Sequence, residues 1–86
     1  MKGTEKQIKW AEDIITSAQE TIRRNIERNA NDEKELRIWK WMEAEYAKAM
    51  EQVGDNAALI INNRKALDSD RVIYLTNQAR MGFIKI

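Results

Sequence analysis

The sequence predicts an all-α fold: a small helical bundle built on a long antiparallel helical hairpin, closed by a third helix and a docked C-terminal segment. Three observations predict it. No proline occurs anywhere in the 86 residues, and good helix formers dominate the first two thirds. Apolar residues recur there at spacings of three and four, the period of one helix face. Each expected break is followed by a residue type that caps a helix N-terminus.

The first helix is predicted from about Glu5 to Asn29. Thr4 and Gln7 form a capping box in which hydroxyl and amide satisfy each other's orphan backbone donors, and Glu5 puts a favourable charge in the first turn. At about 100° per residue, Ile8, Ala11, Ile15, Ala18, Ile22 and Ile26 share one stripe with Ile14 beside it, close to a heptad seam. Glu5 with Lys9 and Glu20 with Arg24 support the exposed face as i to i+4 pairs.

The cluster Asn29, Ala30, Asn31, Asp32 ends that helix and caps the next, with Asp32 and Glu35 as a D-x-x-E start. Helix two is predicted to run to about Val53 and to stop at Gly54 as a left-handed C′ residue. So short a connection favours an antiparallel hairpin. The inner face is expected to be Leu36, Trp39, Met42, Tyr46, Ala49, Met50 and Val53.

Asp55 or Asn56 caps a third helix, predicted from Ala57 to about Leu67. The segment Asp68, Ser69, Asp70 is the next break. Val72 to Thr76 have strand-like composition, yet Asp70 as a cap and Ala79, Arg80 and Gly82 as an ending favour a fourth helix over a short strand or hairpin. Phe83, Ile84 and Ile86 are too apolar to dangle and are expected to dock. Residues 1–86 thus read as one helical domain.

The opening G-T-E-K-Q-I-K-W-A-E-D-I-I, Gly3 to Ile15, resembles the G-[S/T]-E-K-Q-x-x-W-A-E-x-I start of a family of small proteins and modules in bacteria and their phages. Family members often continue to a short apolar helix ending in I-x-N-R, which Ile61, Asn62, Asn63 and Arg64 match. The resemblance covers about a quarter of the chain and implies a phage or bacterial origin; it brings no activity with it.

Composition excludes more than it suggests. With no Cys there is no disulfide, thiolate metal site or cysteine nucleophile. The absence of His removes the side chain best suited to proton transfer near neutrality and the commonest metal ligand. Three glycines form no phosphate loop, and no calcium loop or nucleophile elbow is present. The expectation is a protein that is not an enzyme and has no cofactor and no metal. The longest apolar run, Ala57 to Ile61, is far too short to span a bilayer, and no signal pattern opens the chain, so no membrane association and a cytoplasmic location are expected. Fifteen Lys and Arg against fourteen Asp and Glu leave a net charge of +1. That is neither a basic nucleic-acid footprint nor an acidic nucleic-acid mimic.

Two residues break the pattern. Trp41 lies about 160° from Trp39 on the helix-two wheel, beside Glu45, Lys48 and Gln52. Either a later segment covers that side of helix two, or Trp41 anchors another chain, as Trp does at binding hot spots. Arg64, on a continuous third helix, projects between Ile60 and Ile61 on the apolar side. One reading gives it an ion pair or a capped helix carbonyl; the other makes it an anion site with Asn62 and Asn63 at its rim. For Trp10 the family resemblance implies a structural role, packing on helix two or on the I-x-N-R segment, and a tryptophan at the edge of an apolar stripe is most often core. Arg23, Arg24 and Arg28 read as compensation of a helix C-terminus. Lys40, Lys48 and Lys65 could add to them for nucleic acid, and the acids Glu12, Asp13, Glu43 and Glu45 read as solvated surface.

The functional expectation is therefore a non-enzymatic protein-interaction module of phage or bacterial origin, such as an inhibitor or adaptor acting against a host defence. Its partner-binding face would include Trp41, Glu45, Lys48 and Gln52. The alternatives are a small anionic-ligand or nucleotide binder using Arg64, Asn62 and Asn63, and a nucleic-acid accessory protein. A surplus of apolar surface makes self-association, as a homodimer, the expected assembly.

Overall fold

The Oγ1 of Thr4 accepts from the Gln7 N–H at 3.1 Å while the Thr4 N–H donates to the Gln7 side chain at 3.0 Å, so the predicted capping box forms in full. From it, in a computed structural model that describes residues 1–86, the chain runs through α1 (Glu5–Arg28), α2 (Glu33–Val53), α3 (Ala57–Asn62) and α4 (Ser69–Arg80), with a 3₁₀ turn at Arg64–Ala66. Asp32 caps α2 through the Glu35 N–H at 3.1 Å, Asn56 caps α3 through Leu59, and Asp68 caps α4 through Arg71. The fold is an all-α bundle on a long antiparallel hairpin, and the tail is a fourth helix.

Helix α1 is the centre, packing on α2, α3 and α4, while α4 also packs on α2. Ala11 and Ala18 are fully buried, and their small side chains allow neighbouring helices to approach closely. Around them pack Ile14, Ile22, Trp39, Met42, Tyr46, Ala57, Ile60, Ile61, Leu67 and Val72. Ile14, expected beside the stripe, is more deeply buried than Ile15, because two further helices lie against α1 in addition to α2.

The sequence-based reading needs four corrections. Helix α4 starts at Ser69 with Asp68 as its cap, and Asp70, expected as the cap, lies in its first turn, because it is the Asp68 carboxylate that accepts the Arg71 N–H at 2.8 Å. Helix α3 ends at Asn62 and not at Leu67. The Asn63 side chain donates to the Leu59 carbonyl at 2.8 Å and Arg64 Nη1 to the Ile61 carbonyl at 3.0 Å, so side chains satisfy the last turn and the helix gains nothing by continuing. Gly54 has φ 66° but ψ −153°, a conformation essentially confined to glycine yet different from the left-handed helical C′ expected. Phe83 does not dock: its side chain is 74% exposed. Its N–H, with that of Ile84, returns to the Gln78 carbonyl at 2.9 and 3.3 Å, so the backbone closes α4 while the ring faces solvent. Ile84 is half-buried, and the backbone oxygen of Ile86 accepts from Arg37 at 2.7 Å.

The segment before α1 is tied to the α2–α3 connection. Lys2 donates to the Asp55 carbonyl at 2.9 Å and accepts from the Ala57 N–H at 2.8 Å, a single parallel bridge. Gly3 sits at φ 144°, and a Cβ placed there would meet the Ala57 Cβ at 2.9 Å. Only glycine fits such an approach.

Candidate docking site

A two-helix hairpin has two flanks, and this chain covers one of them. On α2, Ile38 and Ala47 lie about 180° apart at 100° per residue. Trp39 and Tyr46 point into the core between them. Ile38 is buried on the flank where α4 lies, near Ala79 and Ile86. The register of that packing is set by Arg80, whose Nη2 and Nε reach the two oxygens of Glu35 at 2.6 and 2.8 Å. The hydrogen bonds from Arg80 hold the Glu35 carboxyl below its ordinary value, and the same bonds raise Arg80. At the other end of α4, the Tyr46 hydroxyl donates to the Leu67 carbonyl at 2.8 Å. Burial, with Asp68 adding a like charge, pushes that phenol up to about 12.

The opposite flank is open. Gln19, Ile22 and Arg23 from α1 face Glu43, Tyr46, Ala47, Met50 and Glu51 from α2 across a groove of about 680 Å³. Its floor is Ile22 and Tyr46, both buried; Met50 is half-buried and Ala47 exposed. The small Ala47 side chain leaves space that a larger residue would fill. From Glu43 to Glu51 the groove runs about 12 Å, roughly two helical turns. Its floor is apolar and its rim charged, the anatomy of a surface that receives another helix.

Trp41 lies on the α4 flank, beside Ile38, half-buried and packed against the core. The rest of its predicted face is polar: Lys48 and Gln52 are exposed, and Glu45 pairs with Lys48 at 3.5 Å. These four residues do share one stripe of α2, but they do not enclose a cavity.

Arg64 leaves the apolar side when α3 stops at Asn62, and it is exposed. Its guanidinium carbon lies 5.4 Å from the centre of the Trp10 ring, itself 48% exposed. Asn62 is exposed as well, while the Asn63 amide is spent on Leu59. Among the basic residues, Arg23 pairs with Glu27 at 3.0 Å and Lys40 approaches Glu43 at 4.0 Å. No group of three or more acidic side chains is placed to hold a metal ion, and no helix is long and apolar enough to cross a membrane.

The groove was not read from the sequence. Its only trace in the sequence is the alternation of Glu43, Ala47 and Glu51 beside Met50 on α2, which does not tell an open flank from a covered one. Comparison of the chain with protein-family models, with curated proteins and with solved structures found no match in any of the three.

Proposed function

We propose that this protein is a non-enzymatic protein-interaction module that docks a helix in the groove between α1 and α2. The observation that carries the reading is the uncovered flank itself: Ile22, Tyr46 and Met50 present an apolar floor about one turn long, bordered by Arg23, Glu43 and Glu51. A helix laid there occupies the position of a missing bundle helix, at the 8–10 Å spacing at which helices pack. An inhibitor or adaptor of phage or bacterial origin is the kind of protein to which such a module belongs. The Trp41 stripe offers less apolar area, since much of that ring already packs inward.

The anionic-ligand reading finds less support, because the face of the Arg64 guanidinium lies over Trp10 and its Nη1 holds the Ile61 carbonyl. A nucleic-acid role rests only on scattered basic residues, two of which already sit near acids.

A photo-cross-linking residue at Ala47 tests the proposal, with one at Ser17, outside the groove, as the control. Protein adducts from position 47 and none from 17 are expected. Equal labelling from both positions, or none from 47, rejects the groove as the docking surface.

A further inference from the structure

On α2, Glu43, Tyr46, Ala47 and Met50 stand at i, i+3, i+4 and i+7, and all four line the groove. That spacing forms the four-residue hole that receives one side chain of a facing helix. Tyr46 is its buried base and Met50 is half-buried, while Ala47 leaves one corner with almost no side chain. A hole with one small corner takes a large apolar knob.

The charges along the groove are not balanced. Arg23 is paired with Glu27 at 3.0 Å, and Lys40 stands 4.0 Å from Glu43. Glu51 is the one charged residue lining the groove that no ion pair engages. Its own helix does not account for it either. Glu51 lies in the last turn of α2, two residues before Val53, and no basic residue shares that turn. The negative end of the helix dipole disfavours a carboxylate there. A charge that its helix opposes and no neighbour pairs is the kind of local inconsistency found at binding surfaces.

From the hole and the unpaired carboxylate we infer that the helix received by the groove has a basic edge. It seats one large apolar side chain among Glu43, Tyr46, Ala47 and Met50, and a Lys or Arg about one turn away meets Glu51. The inference rests on the groove reading above and deepens it by giving the partner's chemistry. Glu43 and Glu51 flank Ala47, four residues to either side, so a second cation about two turns from the first reaches Glu43. The exposed Lys40–Glu43 pair is weak and yields to it. The facing wall offers Gln19 and the already paired Arg23, so the basic edge lies along α2 and not along α1. Opposite charges of this kind select the partner and its register more than they add affinity.

Two synthetic helical peptides of about 20 residues, long enough to hold a helix, test the inference. Both carry leucines along one face; one has lysines along the edge of that face and the other glutamates at the same positions. Fluorescence anisotropy of each labelled peptide is followed as the protein is added. The lysine-edged peptide should bind at least about tenfold more tightly than the glutamate-edged one. Glu51→Lys should reverse or abolish that preference, and it keeps the fold because a cation suits the last turn of α2. Ala47→Leu, on an exposed helical position, should fill the hole and remove binding of both peptides. Circular dichroism verifies the helices of both variants. No binding of either peptide, no preference between them, or a preference that Glu51→Lys leaves intact overturns the inference. Ala47→Leu separates the two failures: equal binding of both peptides that it removes keeps the groove and loses the basic edge, while binding that survives it loses both.

Discussion

The guanidinium of Arg64 lies over the ring of Trp10, 5.4 Å from its centre, while its Nη1 donates to the Ile61 carbonyl at 3.0 Å. One side chain thus ends α3 and fastens it to α1. On the same side, Gly3 touches Ala57 and Lys2 pairs with the α2–α3 connection. The start of the chain from Gly3 to Trp10 and the end of α3 from Ile61 to Arg64 therefore form one spatial unit.

Arg64→Ala should lower stability by about 1–2 kcal/mol, the sum of a half-exposed cation–π contact and one helix-capping hydrogen bond. Arg64→Lys should recover only part, since an ammonium cannot stack on the ring and reach the carbonyl together. Urea unfolding followed by Trp fluorescence measures both. No loss in either variant would show that the contact is incidental.

Gly3→Ala should cost more than its single methyl suggests. The new Cβ lies 2.9 Å from that of a fully buried Ala57 and is held at φ 144°. Strain at such a position is about 1–3 kcal/mol. Hydrogen exchange at the Ala57 N–H, which bonds to Lys2, should accelerate more than exchange in the middle of α2. Unchanged protection there contradicts the close approach.

Tyr46→Phe leaves the Leu67 carbonyl without its donor and should cost about 1–2 kcal/mol at neutral pH. The pH dependence has a definite sign. The folded phenol keeps its proton to about 12 while the unfolded one loses it near 10. The contribution of Tyr46 is therefore complete below pH 10 and is lost as pH rises through 12. Wild type should approach the Phe variant in stability across that window; a gap that stays constant rejects the buried, neutral phenol.

Glu35→Gln should cost about 1 kcal/mol near neutrality, a modest figure because the Glu35–Arg80 pair is a quarter to a third exposed. Arg80 holds the Glu35 carboxyl below its ordinary 4.5 in the folded state. Its stabilisation is thus present above that value and is lost as pH falls through the folded one. Denaturation curves for both proteins should converge in acid. Divergence there would contradict the assignment.

Helix existence and the first two caps were legible because each rests on a few adjacent residues, Thr4 with Gln7 and Asp32 with Glu35; for α3 the sequence left Asp55 and Asn56 open, and for α4 it favoured Asp70 where Asp68 is the cap. The end of α3 was not, since Asn63 and Arg64 turn their side chains onto the Leu59 and Ile61 carbonyls and the Arg64 guanidinium lies over Trp10, far away in sequence. Helix α4 was ambiguous for a related reason. Val72 to Thr76 have strand-like composition, and the choice is made by tertiary partners, Glu35 for Arg80 and the buried α1 surface for Val72. The groove was hidden more completely. It depends on which flank of the hairpin α4 covers, and the wheel positions of Ile38 and Ala47 do not distinguish the two flanks until the chain has folded.

The central claim, that the α1–α2 groove is the docking surface, is tested most directly by the photo-cross-linking residue at Ala47 set against the one at Ser17. The account predicts protein adducts from position 47, on the groove, and none from position 17. Equal labelling from both positions, or none from 47, would contradict it.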